Sequence, residues 1–164
     1  LSIKLHNKLM NKFGKFLTSI IACELVGLLG TPFTAAAIPT WYATLEKPFF
    51  APPNWLFGPA WTLLYFLMGI SFYLIWQQKN NRQNIIAKRV FFAQLFLNFI
   101  WSPVFFGLRS PLLGLLVIIC LWLMIIVTIF KFYPLSKGAA YLLLPYLLWV
   151  SFATTLNAAI LLLN

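Results

Sequence analysis

Five long runs of low charge occupy most of this chain, at residues 16–38, 55–76, 90–108, 111–130 and 138–163. Each is close to the ~20 apolar residues that an α-helix needs to cross a hydrocarbon core about 30 Å thick. Across 164 residues, 62% are hydrophobic and 9% charged, where a soluble domain has roughly 45–50% and about 25%. Little chain is left over for a soluble catalytic domain. Leu115-Leu116-Val117-Ile118-Ile119 and Leu142-Leu143-Leu144 are apolar on both parities, whereas a membrane strand alternates over about 10 residues. The chain therefore reads as an all-α integral membrane protein. A single membrane domain spans 1–164, a bundle of five transmembrane helices with a Pro- and aromatic-rich loop, 39–54, between helices 1 and 2.

Twelve Lys and Arg against two carboxylates give a formal charge of +10, which in a soluble protein would point to nucleic acid. Here the charges sit in the short gaps and read as topology signals, so no nucleic-acid partner is expected. Lys4, Lys8, Lys12, Lys15, Lys79, Arg82, Lys88, Arg89, Lys131 and Lys137 fall on one side; Lys47 and Arg109 fall on the other. The positive-inside rule then puts the N-terminus in the cytoplasm, with the 39–54 loop and the C-terminus outside. That asymmetry fits a multi-pass protein of a bacterial inner membrane. Cys23 and Cys120 lie in apolar runs, as small packing residues rather than a disulfide or metal pair. The single histidine, His6, is in the basic N-terminal arm, which argues against a His-based triad or a zinc site.

The first run, with its lysine-rich start and Ala35-Ala36-Ala37, also fits a secretory signal with a small-residue cleavage site. Its length, Glu24, and Ser19, Cys23, Gly27, Thr31 and Ala35 at four-residue spacing favour a retained span. Such a small-residue seam lets a neighbouring helix approach closely, within the monomer or in a dimer.

Polar and aromatic residues inside spans should face protein, water or ligand rather than lipid. Span three carries Gln94, Asn98 and Ser102 at four-residue spacing, flanked by Trp101 and Phe105. Span five carries Trp149, Ala153 and Asn157 at the same spacing, with Tyr146 nearby and Pro145 removing one backbone hydrogen bond just before them. Span two presents Trp61, Tyr65, Met68 and Phe72 on one face. At 1.5 Å per residue, Trp61, Trp101 and Ala153 lie roughly 9, 10 and 15 Å below the outer surface. These faces are expected to meet around a cavity in the outer half of the bundle, suited to a large, flat, mostly apolar ligand. Each residue taken singly also fits ordinary packing or interhelical hydrogen bonding. Over 39–55, Pro39, Pro48, Pro52 and Pro53 restrict the backbone and five aromatics, the last being Trp55, supply apolar surface. An ordered lid is expected there.

Trp41-Tyr42-x-x-Leu45-x-Lys47-Pro48-x-x-x-Pro52-Pro53, followed by Phe57-x-Pro59-x-Trp61-Thr62-x-Leu64-Tyr65, closely resembles the TspO/MBR family of tryptophan-rich sensory and mitochondrial translocator proteins. Asn98-x-x-Trp101-x-Pro103-x-Phe105-Phe106 and Leu144-Pro145-Tyr146-x-x-Trp149-x-x-Phe152-Ala153-x-x-Leu156-Asn157 agree with the same pattern. The resemblance implies a five-helix bundle, commonly a homodimer, that binds protoporphyrin IX, haem and synthetic isoquinoline-carboxamide or benzodiazepine ligands. It also implies roles in tetrapyrrole-linked stress sensing or transport, with porphyrin as ligand and no cofactor required. Carried over by motif position, the family's pocket corresponds to Trp41, Tyr42, Pro52, Trp61, Tyr65, Ser102, Phe105, Trp149 and Ala153; Asn98 and Trp101 join them from the polar face of span three.

Some bacterial members are implicated in light-dependent porphyrin breakdown, which makes Trp61 and Trp149 the candidates for such photochemistry. The chain shows no acid, base and nucleophile arrangement of a conventional hydrolase. A porphyrin-binding receptor or carrier is the leading expectation. The alternatives are a light-dependent or oxidative porphyrin-degrading enzyme at the same pocket, or a stress-regulated membrane interaction protein. Animal members end span five with a sterol-recognition segment that finishes on a basic residue. Nothing basic follows Lys137 here, which argues against sterol binding at that place.

Overall fold

The computed structural model describes the backbone from Ser2 to Asn164 and the side chains from Asn11 onward; Lys4, Lys8 and His6 lie outside the described side chains. Helix α1 (Ser2–Ala37) leads into the loop, which holds the one-turn helix α2 (Trp41–Thr44). A 3-10 turn at Asn54–Leu56 opens α3 (Phe57–Trp76), and α4 (Arg82–Ser102) runs into a π-helical turn at Pro103–Gly107. Then follow α5 (Pro111–Phe132), the short α6 (Lys137–Tyr141) and α7 (Leu144–Leu163). Five segments are long and apolar enough to cross a membrane: Asn11–Ala37, Asn54–Trp76, Arg82–Gly107, Pro111–Phe132 and Lys137–Leu163. No strand occurs among the described residues.

The connections are stopped by local chemistry. The side chains of Asn81, Ser110 and Ser136 accept hydrogen bonds from the backbone N–H of Asn84, Leu113 and Ala139, capping α4, α5 and α6. Helix α4 starts at Arg82 rather than with the apolar run, because Asn81 caps a turn of polar residues that extends beyond the hydrophobic stretch. Pro145 cannot donate to the turn before it, and the last span is broken between Tyr141 and Leu144.

Around the bundle, α1 packs against α3 and α4, α5 against α4 and α7, and α6 against α3 and α5. Helices α3 and α7 meet more sparsely, through Phe57 beside Trp149 and Trp61 beside Tyr146, with centroids 6.2 and 6.3 Å apart. The small-residue seam is used inside the monomer: Ser19 and Cys23 are buried, and the Tyr65 ring lies against Gly27. Thr31 and Ala35, on the same four-residue row, are exposed, and the buried line steps to Gly30 and Ala37. Four residues turn a helix by roughly 400°, so a strict four-residue row drifts roughly 40° per step and leaves the contact.

One core fills the end away from the loop, where Phe91 stacks on Phe72 and Phe132 at 4.9 and 5.7 Å. A second core lies beneath the loop and joins Ala37, Tyr42, Phe105, Phe106, Leu156 and Ile160. The loop is tied to the end of the last helix. Its Glu46 backbone N–H donates to Asn164 Oδ1 at 3.0 Å and its carbonyl accepts from Asn164 Nδ2 at 3.1 Å.

Candidate functional site

Between the two cores is a cavity of about 330 Å³, within the roughly 300–1,000 Å³ of small-molecule sites. Helix α3 supplies Trp61 and Tyr65, α4 supplies Asn98, Trp101 and Ser102, and the π turn adds Phe105. Helix α7 contributes Trp149, Ala153 and Asn157, and Tyr42 comes from the lid. Trp41 and Pro52 are not part of this wall. Trp41 braces it from behind, its ring 5.6 Å from Phe105, and Pro52 is half-buried in the lid.

The floor is a hydrogen-bonded chain across three helices. Tyr65 Oη donates to Asn98 Oδ1 at 2.8 Å, Asn98 Nδ2 donates to Tyr146 Oη at 2.6 Å, and Tyr146 Oη donates to Gln94 Oε1 at 3.0 Å. Asn98 thus serves as donor and acceptor at once. Removing it leaves the buried Tyr65 hydroxyl without an acceptor, while Tyr146 keeps Gln94; a buried polar group without a partner costs about 1–3 kcal/mol. Asn98→Leu should lower stability by about 2 kcal/mol, measured by thermal unfolding in detergent; a variant as stable as wild type would contradict this role.

On the walls above the floor, Ser102, Trp101 and Asn157 are engaged between helices. Ser102 Oγ donates to the Gly30 carbonyl at 3.0 Å and lies 2.8 Å from Thr34 Oγ1, tying α4 to α1. Trp101 Nε1 points to Asn157 Oδ1 at 3.4 Å while Asn157 Nδ2 donates to the Pro111 carbonyl at 2.8 Å. The indole N–H of Trp149, on the wall, and the Gln94 Nε2 amide, below the floor, are buried and have no acceptor. Such a group is normally paired.

The π turn closes with Leu108 N–H on the Pro103 carbonyl at 2.9 Å. Its wider register turns both Phe105 and Phe106 inward, where they pack under Tyr42 at 6.4 and 5.7 Å. Lys47 Nζ sits 4.8 Å from the Tyr42 ring centroid, and burial holds the Tyr42 phenol above its ordinary pKa. Among the cavity's lining residues Glu24 alone is charged. No group of three or more His, Cys, Asp or Glu gathers among the described residues as a metal site would need.

Sequence reasoning from polar faces missed the α1 wall. Gly27, Gly30, Thr31 and Thr34 line the cavity, and the available signal was that these small residues leave room as well as permit packing.

The TspO/MBR family profile matches residues 19–163, from within α1 to the last turn of α7. The chain belongs to the TspO/MBR family. It is 55% identical to the tryptophan-rich protein TspO of Archaeoglobus fulgidus over 150 residues, covering 92% of this chain and 97% of that one. It is 39% identical to the tryptophan-rich sensory protein of Cereibacter sphaeroides, with 87% and 86% covered. Similarity extends to the human translocator protein, at 36% identity over 84% of this chain and 82% of the relative. Membership and five apolar spans make this TspO/MBR chain a multi-pass membrane protein.

Proposed function

We propose that this TspO/MBR protein is a membrane receptor or carrier for porphyrins, protoporphyrin IX or haem, and for similar flat apolar ligands such as isoquinoline carboxamides. Its role on this reading is tetrapyrrole-linked sensing or transport. The observation that carries the proposal is the pair of indoles, Trp61 and Trp149, on the wall of one mostly apolar cavity, the second with an unpaired N–H. Aromatic faces stack on a planar ligand, and an unpaired buried donor is satisfied by a ligand acceptor. With no cationic lining residue, the enclosed part of the ligand is neutral and any carboxylates remain outside the cavity. The names of the relatives, sensory and translocator, are in keeping with a ligand-holding role. The lid end faces away from the cytoplasm, because Lys47 and Arg109 are the only basic residues on that side of the spans.

Tryptophan fluorescence of the detergent-purified protein, titrated with protoporphyrin IX in the dark, tests the proposal. Saturable quenching at a fixed stoichiometry is expected. Linear, non-saturating quenching would mean that porphyrin only partitions into the micelle and would overturn it.

A further inference from the structure

The cavity has two conceivable doors, and they differ in construction. Over the top, Tyr42 is 3% exposed and packs on Phe105 and Phe106, while Asn164 at the end of α7 holds Glu46 by two hydrogen bonds. On the side, α1 and α3 diverge. A Cβ on Gly69 would stand 2.6 Å from the Ile20 Cα, and one on Gly27 2.5 Å from the Tyr65 ring, so the two helices touch tightly over their lower half. Towards the lid the spacing opens. Gly58 has nothing within 4 Å of the same position, and Gly58, Thr62, Leu28, Thr31 and Ala35 are both exposed and part of the cavity lining.

We infer that ligands enter and leave this cavity sideways from the bilayer, through the gap between α1 and α3, with Gly58 keeping that gap wide. The inference rests on the ligand-binding reading above and adds the route and the source: a membrane-dissolved ligand, already partitioned into lipid, that never passes the lid. The wedge follows from residue sizes. Glycine at 69 and 27 lets the helices close below, and α3 begins from the 3-10 turn at Asn54–Leu56.

The test is stopped-flow quenching with protoporphyrin IX delivered from phosphatidylcholine vesicles to the protein reconstituted in the same lipid. It compares wild type, Gly58→Ala, Gly58→Leu and a lid locked by an oxidised Glu46→Cys, Asn164→Cys pair. The substitutions at 58 project into open space, so the fold tolerates them; size-exclusion profiles check this. A side chain in the entrance slows association and dissociation together. Gly58→Leu should slow both by about tenfold, and Gly58→Ala less, as expected when the entrance is narrowed. The locked lid should leave both rates unchanged. Unaltered rates in Gly58→Leu, or slower association with unaltered dissociation, or a greater slowing by the locked lid, would each overturn the sideways route while leaving saturable binding intact. Absence of saturable quenching in wild type would instead overturn the porphyrin reading, and this inference with it.

Discussion

Gly69→Val is expected to separate α1 from the bundle while leaving every span helical. The clash is with backbone: the new Cβ would lie 2.6 Å from Ile20 Cα and 3.1 Å from Ile20 N, so no rotamer change relieves it. Overpacking of a tight contact costs typically 1–3 kcal/mol and, against a rigid helix, about 3 kcal/mol or more here. Each span keeps its own backbone hydrogen bonds in lipid, so far-UV circular dichroism should hardly change. Near-UV dichroism and the thermal transition in detergent should collapse, because α1 forms one wall of the cavity. Gly14→Ala, where nothing lies within 4 Å, is the matched control and should behave as wild type. A Gly69→Val protein with a native thermal transition would show that α1 does not depend on this contact.

The second large effect concerns binding. Trp61→Ala combined with Trp149→Ala should weaken protoporphyrin IX binding about 10- to 100-fold, since an aromatic contact contributes about 0.5–1.5 kcal/mol beyond its buried area. Area itself adds little, because the ligand leaves lipid rather than water. Both indoles are half-buried and braced from the side, Trp61 by Tyr65 at 5.6 Å and Trp149 by Phe152 at 5.7 Å, so the bundle should survive their loss. Trp61→Phe with Trp149→Phe keeps a ring at each place and removes the N–H, and should weaken binding by less. Titration of the porphyrin absorbance band, which does not depend on the protein's own fluorescence, measures all three proteins. Equal affinities would place the ligand elsewhere.

Illumination of the same complex separates holding from breakdown. A receptor or carrier keeps its porphyrin spectrum, whereas turnover gives a new chromophore in excess of one equivalent. Loss of the pocket with no loss of the physiological effect would favour the interaction-protein reading.

The five spans, the helical class and a proline-restricted loop were legible in the residues. A run of about 20 apolar side chains has one solution in lipid, and four prolines restrict a loop wherever it lies. The inward faces of spans two, three and five were legible too, because polar and aromatic groups in a span avoid lipid; the Tyr65, Asn98 and Tyr146 chain is their expression. Three features were decided only by the assembled bundle. Ser19 and Cys23 stay buried and Gly27 stays against Tyr65 while Thr31 and Ala35 are exposed, since a strict four-residue row drifts around its helix. Phe105 and Phe106 both turn inward because the π turn after Pro103 adds a residue to one turn, a register that composition does not announce. The gap beside Gly58 exists because the glycine contacts lower down close the wedge at one end. Solvent preference acts on each residue alone and can be read from the sequence; the width of a space depends on several helices at once and is fixed only when they pack.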